Sequence, residues 1–436
     1  MIRFIVAFVL ALAVTSPARA IDIQEVTSPG GIKAWLVEEN SIPFTALEIR
    51  FRGGGSLDRP GKRGAINLMT AIIEEGAGDL DSLGFATARD ALAASFRFDS
   101  HRDALSVSAR FLSENRDDAI DLLRLALVEP RFDQFAVDRV RAQVLSNLRG
   151  KVGDQNDVVG IAFNKEAYRD HPYETDMDGT PESVAALTRD DIVTAFKDAV
   201  ARDRVYVAAA GDISAGELGE ILDRLLGDLP ETGAPIPERA DVALTGGVTV
   251  IPFNTPQSVA MFGHTGILRD DPDFFAAFVA NQIFGGSGRQ SRLSFEVREK
   301  RGLTYGVGSY LANYDHASLV IGQLASANDR MAEAIEVIRQ EWATVAAEGV
   351  TQTELDEAKT YLTGAYPLRF DSNASIARIL VGMQMDDLGI DYVDTRNDKV
   401  NAVTLEDIKR VVKRLYRPED LRFVVVGQPA ELENVN

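Results

Sequence analysis

Apolar positions along the chain follow two spacings, and their order predicts the architecture. Phe44 to Phe51 and Ser258 to His264 read as strands, each leading into a long helical stretch. Four segments carry the helical period: Arg116 to Leu127, Gln134 to Arg149, Asn328 to Ala347 and Gln352 to Tyr366. Strands therefore come early in each half, helices fill the middle, and a helix–strand pair closes the unit. Clustering of this kind, in place of strict alternation, predicts an α+β fold.

The closing pair is repeated. The run from Leu187-Thr188-Arg189-Asp190-Asp191-Ile192 to Gly211 matches the run from Val403-Thr404-Leu405-Glu406-Asp407-Ile408 to Gly427, and in both the ends lie 24 positions apart without a gap. Each copy has a threonine cap, acids in the first helical turn, an amphipathic helix, and an apolar strand stopped by glycine. Pro230, Thr232, Gly233, Pro235 and Pro237 fit neither period and read as a linker. The expected organisation is an N-terminal α+β domain over 21–229, a linker over 230–242 and a second α+β domain over 243–436. Each should be a mostly antiparallel sheet covered by helices, the two facing each other across a cleft.

The first 20 residues have a different character. Arg3 precedes eleven apolar residues from Phe4 to Val14, followed by Ser16-Pro17-Ala18-Arg19-Ala20. A cationic start, an apolar run too short to span a bilayer and an Ala-x-Ala site together predict a signal peptide cleaved after Ala20. A bacterial periplasm is the expected compartment. No later stretch has the length and apolarity of a transmembrane helix, so no membrane partner is expected.

Composition then narrows the chemistry. Zero cysteines exclude disulfides, thiolate metal sites and thiol nucleophiles. A formal net charge of −20 repels nucleic acid, and signal removal makes the chain two charges more negative. The four histidines, His101, His171, His264 and His316, are too scattered for a local metal cluster.

Two segments carry a family resemblance. The run Arg63-Gly64-Ala65-Ile66-Asn67-Leu68-Met69-Thr70-Ala71-Ile72-Ile73-Glu74-Glu75-Gly76 resembles the segment of pitrilysin and mitochondrial-processing-peptidase-type metallopeptidases that holds the inverted zinc motif H-x-x-E-H. In that motif two histidines one helical turn apart bind zinc, and the glutamate between them activates the metal-bound water. The resemblance places Asn67 and Ala71 at the histidines, Thr70 at the glutamate, and Asn147, in Val144-Leu145-Ser146-Asn147-Leu148, at the third ligand. None is a ligand, so no cofactor is expected in this chain, and Ile66, Met69, Ile72 and Ile73 read as the core face of a helix.

The second segment, Ser291 to Val307, is similar to the family's signature R-E-x-x-G-L-x-Y, in which a helix ends and a strand follows. The resemblance implies that Arg298 and Tyr305 reach a substrate at a zinc site. Locally, Gly302 reads as the helix C-cap, and Tyr305 as the start of an alternating strand through Val307, Ser309 and Leu311. His171-Pro172-Tyr173 with Gly179-Thr180-Pro181, and Ala210-Gly211-Asp212, resemble further family segments, though His171 receives no catalytic role. Gly285-Gly286-Ser287-Gly288 lacks the lysine of a phosphate loop and reads as a flexible turn. Glu74 and Glu75 are adjacent on a helix, so they diverge and read as exposed.

The resemblance implies a chain that is inactive alone and pairs with a homologous zinc-binding subunit bearing H-x-x-E-H, the two acting together on peptides as a metalloendopeptidase. In that pair Arg298 and Tyr305 polarise the peptide carbonyl at the partner's zinc. Two rival readings stand beside it: a non-proteolytic scaffolding subunit, and a periplasmic module that binds peptides without cleaving them.

Overall fold

A computed structural model describes residues 21–432, apart from 287 and 289; the segment expected to be a signal peptide lies outside it. In chain order the strands are β1 (Gln24–Thr27), β2 (Lys33–Glu38), β3 (Phe44–Arg52), β4 (Gly76–Ala77), β5 (Leu80–Asp81), β6 (Ser95–Ser100), β7 (Ala104–Leu112), β8 (Val205–Gly211), β9 (Gly247–Pro252), β10 (Gln257–Thr265), β11 (Val307–Asn313), β12 (Ser318–Ala327) and β13 (Arg422–Gly427). They form a six-stranded sheet, β1-β2-β8-β3-β7-β6, a five-stranded sheet, β11-β12-β10-β13-β9, and a short β4-β5 hairpin.

The repeat seen in the sequence is a repeat of topology. Reading β2-β8-β3-β7-β6 against β9-β13-β10-β12-β11 gives the same order of strands, with β1 added at one edge of the first sheet. Each sheet is antiparallel except for one equivalent parallel pair, β2 with β8 and β9 with β13. The helices that begin each repeat, Arg189–Ala199 and Leu405–Leu415, are held by capping boxes in which Thr188 pairs with Asp191 and Thr404 with Asp407. Both repeats end on a glycine with positive φ, 136° at Gly211 and 154° at Gly427. A Cβ at either position would sit 2.3 Å from the Phe44 carbonyl oxygen or 2.2 Å from the Ser258 hydroxyl, so only glycine lets the strand end pass its neighbour.

Each half keeps its own helices on one face of its sheet. In the first, helices Arg116–Val128, Arg189–Ala199 and Ala215–Leu226 bury Leu123, Ile192 and Leu222 in a core shared with Ile49, Val107 and Val207. In the second, helices Phe274–Gly285, Met331–Glu348 and Leu405–Leu415 close over Phe262, Val320 and Phe423 around the fully buried Trp342.

The opposite faces are covered by exchange. Helix Gln155–Ala167 of the first half lays Val159, Phe163 and Ala167 on the second sheet, against Val259, Ile321, Val424 and Val426. Helix Asn373–Met385 of the second half lays Ala377, Leu380, Val381 and Met383 on the first sheet, against Val37, Ala46, Ala208 and Ala210. Polar ties flank both contacts. Arg422 of β13 pairs with Glu166 at 2.6 Å, and the Gln384 amide donates to the Val207 carbonyl at 2.8 Å.

Helix limits differ from the sequence expectation where side chains capture the backbone. The segment expected to start at Asn328 becomes helical only at Met331, because the Asn328 side chain accepts from the Ser258 hydroxyl at 2.6 Å and donates to the Thr255 carbonyl at 2.8 Å. The prediction that tests the exchange is Phe163→Ala. It removes a fully buried ring at the contact between halves and should cost about 3–5 kcal/mol in denaturant unfolding while both halves still melt in one transition.

Candidate functional site

Asn67, Thr70 and Ala71 lie at a short helix, Ala65–Thr70, that ends at Ala71. It is shorter than the pattern predicts: Ile72 and Ile73 follow in tight turns whose N–H groups bond three residues back, to Met69 and Thr70. The apolar set nevertheless packs as expected, with Ile66, Met69, Ile72 and Ile73 all buried. Asn67 accepts a hydrogen bond from the Ser100 hydroxyl at 2.8 Å, and the buried Thr70 hydroxyl donates to the Ile66 carbonyl at 2.7 Å. Ala71 is exposed, with only a methyl group to offer.

Asn147, on helix Gln134–Val152, is exposed and accepts from Gln143 one turn earlier, at 3.0 Å. No hydrogen bond joins it to the 65–71 segment among the described residues. The four positions thus hold two amides, a hydroxyl committed to its own helix and a methyl, a set that does not fit zinc. Among the described residues no group of three His, Cys, Asp or Glu comes together as a metal site.

Glu74 and Glu75 are not simply exposed, as the sequence reading has them. Both are half-buried; Glu74 pairs with Arg89 at 2.7 Å and Glu75 with Arg139 on helix Gln134–Val152. Burial raises the Glu74 carboxyl above the usual range, against the pull of Arg89. His171 also has a structural place. Its Nδ1 accepts from the Tyr173 N–H at 3.1 Å, leaving Nε2 to donate to the Glu238 carbonyl at 3.1 Å.

The Arg298 segment is a helix over 292–299 whose Ser294–Glu299 portion is wound as a π-helix. The Lys300 N–H bonds to the Phe295 carbonyl, five residues back, and Gly302, with φ 62°, turns the chain. The Gly302 and Leu303 N–H groups close the helix end on the Arg298 and Val297 carbonyls, both at 2.9 Å. Strand β11 begins at Val307, so Tyr305 stands two residues ahead of the strand expected to include it. The inward alternation from Val307 holds: Val307 and Leu311 pack on the second core, and Ser309 exchanges hydrogen bonds with Asn281.

Tyr305 sits on a fixed backbone yet is 88% exposed. Before it, Leu303 is buried and its carbonyl accepts from the Ser326 hydroxyl at 2.6 Å. Around it, the Thr304 hydroxyl donates to the Ala325 carbonyl at 2.6 Å and accepts from the Gly306 N–H at 3.0 Å. The ring is therefore presented outward by a pinned chain. Arg298 is partly exposed, and its ion pair among the described residues is a loose contact of 3.7 Å with the neighbouring Glu299. No hydrogen bond or ion pair links Arg298 to Tyr305 among the described residues.

Sequence reading passed over two aromatics on this unit. Phe295, three residues before Arg298, is 54% exposed, and Tyr310, on the outward face of β11, is also exposed. Their outward positions in the helix and strand pattern were the available signal. Gly285, read as part of a flexible turn, is instead the last residue of helix Phe274–Gly285. A Cβ there would lie 2.1 Å from the Ser309 hydroxyl, so the glycine sets how closely β11 docks.

These features define a two-domain α+β fold of peptidase type, in which the side chains at the positions that the resemblance assigns to zinc ligands do not fit the metal. Residues 186–362 match the family model described as the peptidase M16 inactive domain. The chain is 25% identical over 427 residues to a "non-peptidase homolog YmxG" of Helicobacter pylori, covering 98% of each. It is 22% identical to an "uncharacterized zinc protease YmxG" of Bacillus subtilis, covering 93% of this chain and 98% of that one. A crystal structure described as a peptidase M16 inactive domain from Pseudomonas fluorescens superposes with a TM-score of 0.87 at 28% identity, over 94% of this chain and 99% of that one. Over nearly its whole length the chain is thus similar to M16 peptidase-type proteins, the pitrilysin and mitochondrial-processing-peptidase group, including ones described as inactive or non-peptidase.

From the side chains at 67, 70, 71 and 147, elemental analysis of the purified chain should find no stoichiometric zinc, and a chelator should leave its unfolding midpoint unchanged. One zinc per chain that survives dialysis would overturn this.

Proposed function

We propose that this chain is the zinc-free subunit of a heterodimeric periplasmic metallopeptidase, and that Arg298 and Tyr305 act on the substrate bound at a homologous partner's zinc site. The observation that carries the proposal is Tyr305, a large side chain held almost fully in solvent by a backbone anchored on both sides. A tyrosine serving only the core would be buried. Held outward on an anchored chain, the ring and its hydroxyl are available to a bound peptide.

Chemically, hydrolysis of a peptide builds negative charge on the carbonyl oxygen as the carbon becomes tetrahedral. The Arg298 guanidinium and the Tyr305 hydroxyl are the donors that this chain offers to that oxygen. The loose pairing of Arg298 with Glu299 leaves its guanidinium free to reorient toward an incoming group. The partner subunit, with intact H-x-x-E-H, supplies the metal and the base.

The same segment suggests how the peptide lies. Strand β11 pairs only with β12, so it is an edge of the second sheet, and it starts two residues after Tyr305. An extended substrate adding to that edge brings its backbone past the tyrosine.

In the assembled pair, Arg298→Ala and Tyr305→Phe should each lower turnover about a hundredfold or more, on the order of 3 kcal/mol, with the partner's zinc content unchanged. Unaltered turnover in both variants would remove the mechanism. Purification from native periplasm should return this chain with a zinc-bearing homologue in equal amounts, and recovery of the chain alone would count against the pairing.

A further inference from the structure

Away from the Arg298 segment, five arginines share one cavity of about 450 Å³. Arg50 comes from β3 of the first half. Arg269, Arg369, Arg378 and Arg396 come from the second half, around the crossing of helix Asn373–Met385 over the first sheet. None of the five has a carboxylate within ion-pair distance among the described residues, although most other arginines of the chain do. Among the lining residues the one acid is Asp386; Glu48 acts on Arg50 and Arg378 from β3, and Asp387 and Asp394 act on Asp386 and Tyr366 from just outside. The lining itself therefore sets five guanidinium groups against one carboxylate, in a chain whose net charge is −20.

Stacking accounts for part of this. Arg396 is buried, lies 4.4 Å over the Tyr366 ring, and donates to the Leu362 carbonyl at 2.9 Å. Arg269 lies 4.1 Å over Phe274 and donates to the Tyr392 hydroxyl at 2.8 Å. The other three have no such role. Arg369 and Arg378 are exposed, and the Nε of Arg50 is buried with no hydrogen-bond partner. An unpartnered buried guanidinium nitrogen is costly, and like charges in one cavity repel. The acidic surface elsewhere does not compensate, because solvent ions screen charges more than about 8–10 Å apart.

We infer that this cavity binds a small polyanion bearing two or more carboxylate or phosphate groups, held in the forks of Arg50, Arg369 and Arg378 against the aromatic wall of Phe275 and Tyr392. Guanidinium groups match both oxyanions through paired N–H donors, and the ring-lined wall takes the ligand's apolar body. The ligand bridges the two halves, since Arg50 belongs to one and the remaining arginines to the other. The net negative charge of the chain works against non-specific anion uptake, so binding reports the cavity itself.

The full chain is titrated calorimetrically with citrate and, separately, with inorganic pyrophosphate, in 0.15 M sodium chloride. One site per chain is expected for at least one of them: pyrophosphate alone indicates a phosphate ligand, citrate alone a carboxylate ligand, and both a general oxyanion site. Arg369→Gln and Arg378→Gln, both exposed and safe for folding, should each weaken binding tenfold or more. Arg292→Gln, whose guanidinium is committed to Glu354, should leave it unchanged. As a second reading, Arg378→Gln without ligand should raise the unfolding midpoint by relieving repulsion. Absence of binding by both anions, or equal binding by the Arg369 and Arg378 variants, overturns the proposal.

Discussion

The fold rests on two sheets that are apolar on both faces. A half-buried antiparallel sheet normally shows one face to water, and the strand pattern then alternates cleanly. Here Ala46, Ala208 and Ala210 on one face, and Leu47, Val207 and Ala209 on the other, are all buried. The face that its own helices do not reach is closed by a helix of the opposite half, once in each direction. Alanines on the first sheet give that helix room to approach. The two halves therefore bury surface in each other, once in each direction.

That constraint links the two regions with chemical interest. The Arg298–Tyr305 unit belongs wholly to the second half and is fixed there by Ser326, Thr304 and the Asn281–Ser309 pair, all on or against the second sheet. The arginine cavity instead lies where the exchanged helix meets the first sheet. One region is rigid and turned outward; the other sits at the joint between the halves, where a bound molecule would touch both. Their charge character differs as well, for Arg298 is set among Glu296, Glu299, Lys300 and Arg301, whereas the cavity is dominated by cations.

Much of this was legible from residues alone, for identifiable reasons. The gapless spacing from Leu187 to Gly211 and from Val403 to Gly427 marked a duplicated unit because capping threonines, first-turn acids and terminal glycines each have a local physical cause. The apolar reading of Ile66, Met69, Ile72 and Ile73 also needed only spacing. What periodicity could not show is which sheet a helix packs on. Helix Gln155–Ala167 looks like any amphipathic segment, and nothing in its sequence says that Phe163 meets β10 and β13. Tyr305 was misplaced in the strand because alternation extends through it, while the Thr304 hydroxyl, bonding to backbone at positions 306 and 325, delays pairing until Val307. Arg50, Arg269, Arg369, Arg378 and Arg396 are distant in sequence, so no motif could have gathered them.

The reciprocal exchange also bears on how such a chain arose. A gene encoding a single unit would yield a polypeptide with one bare sheet face and one surplus helix. Two copies related by a twofold axis would satisfy each other, each lending its helix across the axis. Fusion of tandem copies preserves that arrangement while freeing the two units to diverge, so that one can carry an outward arginine and tyrosine while the other holds asparagine, threonine and alanine at 67, 70 and 71.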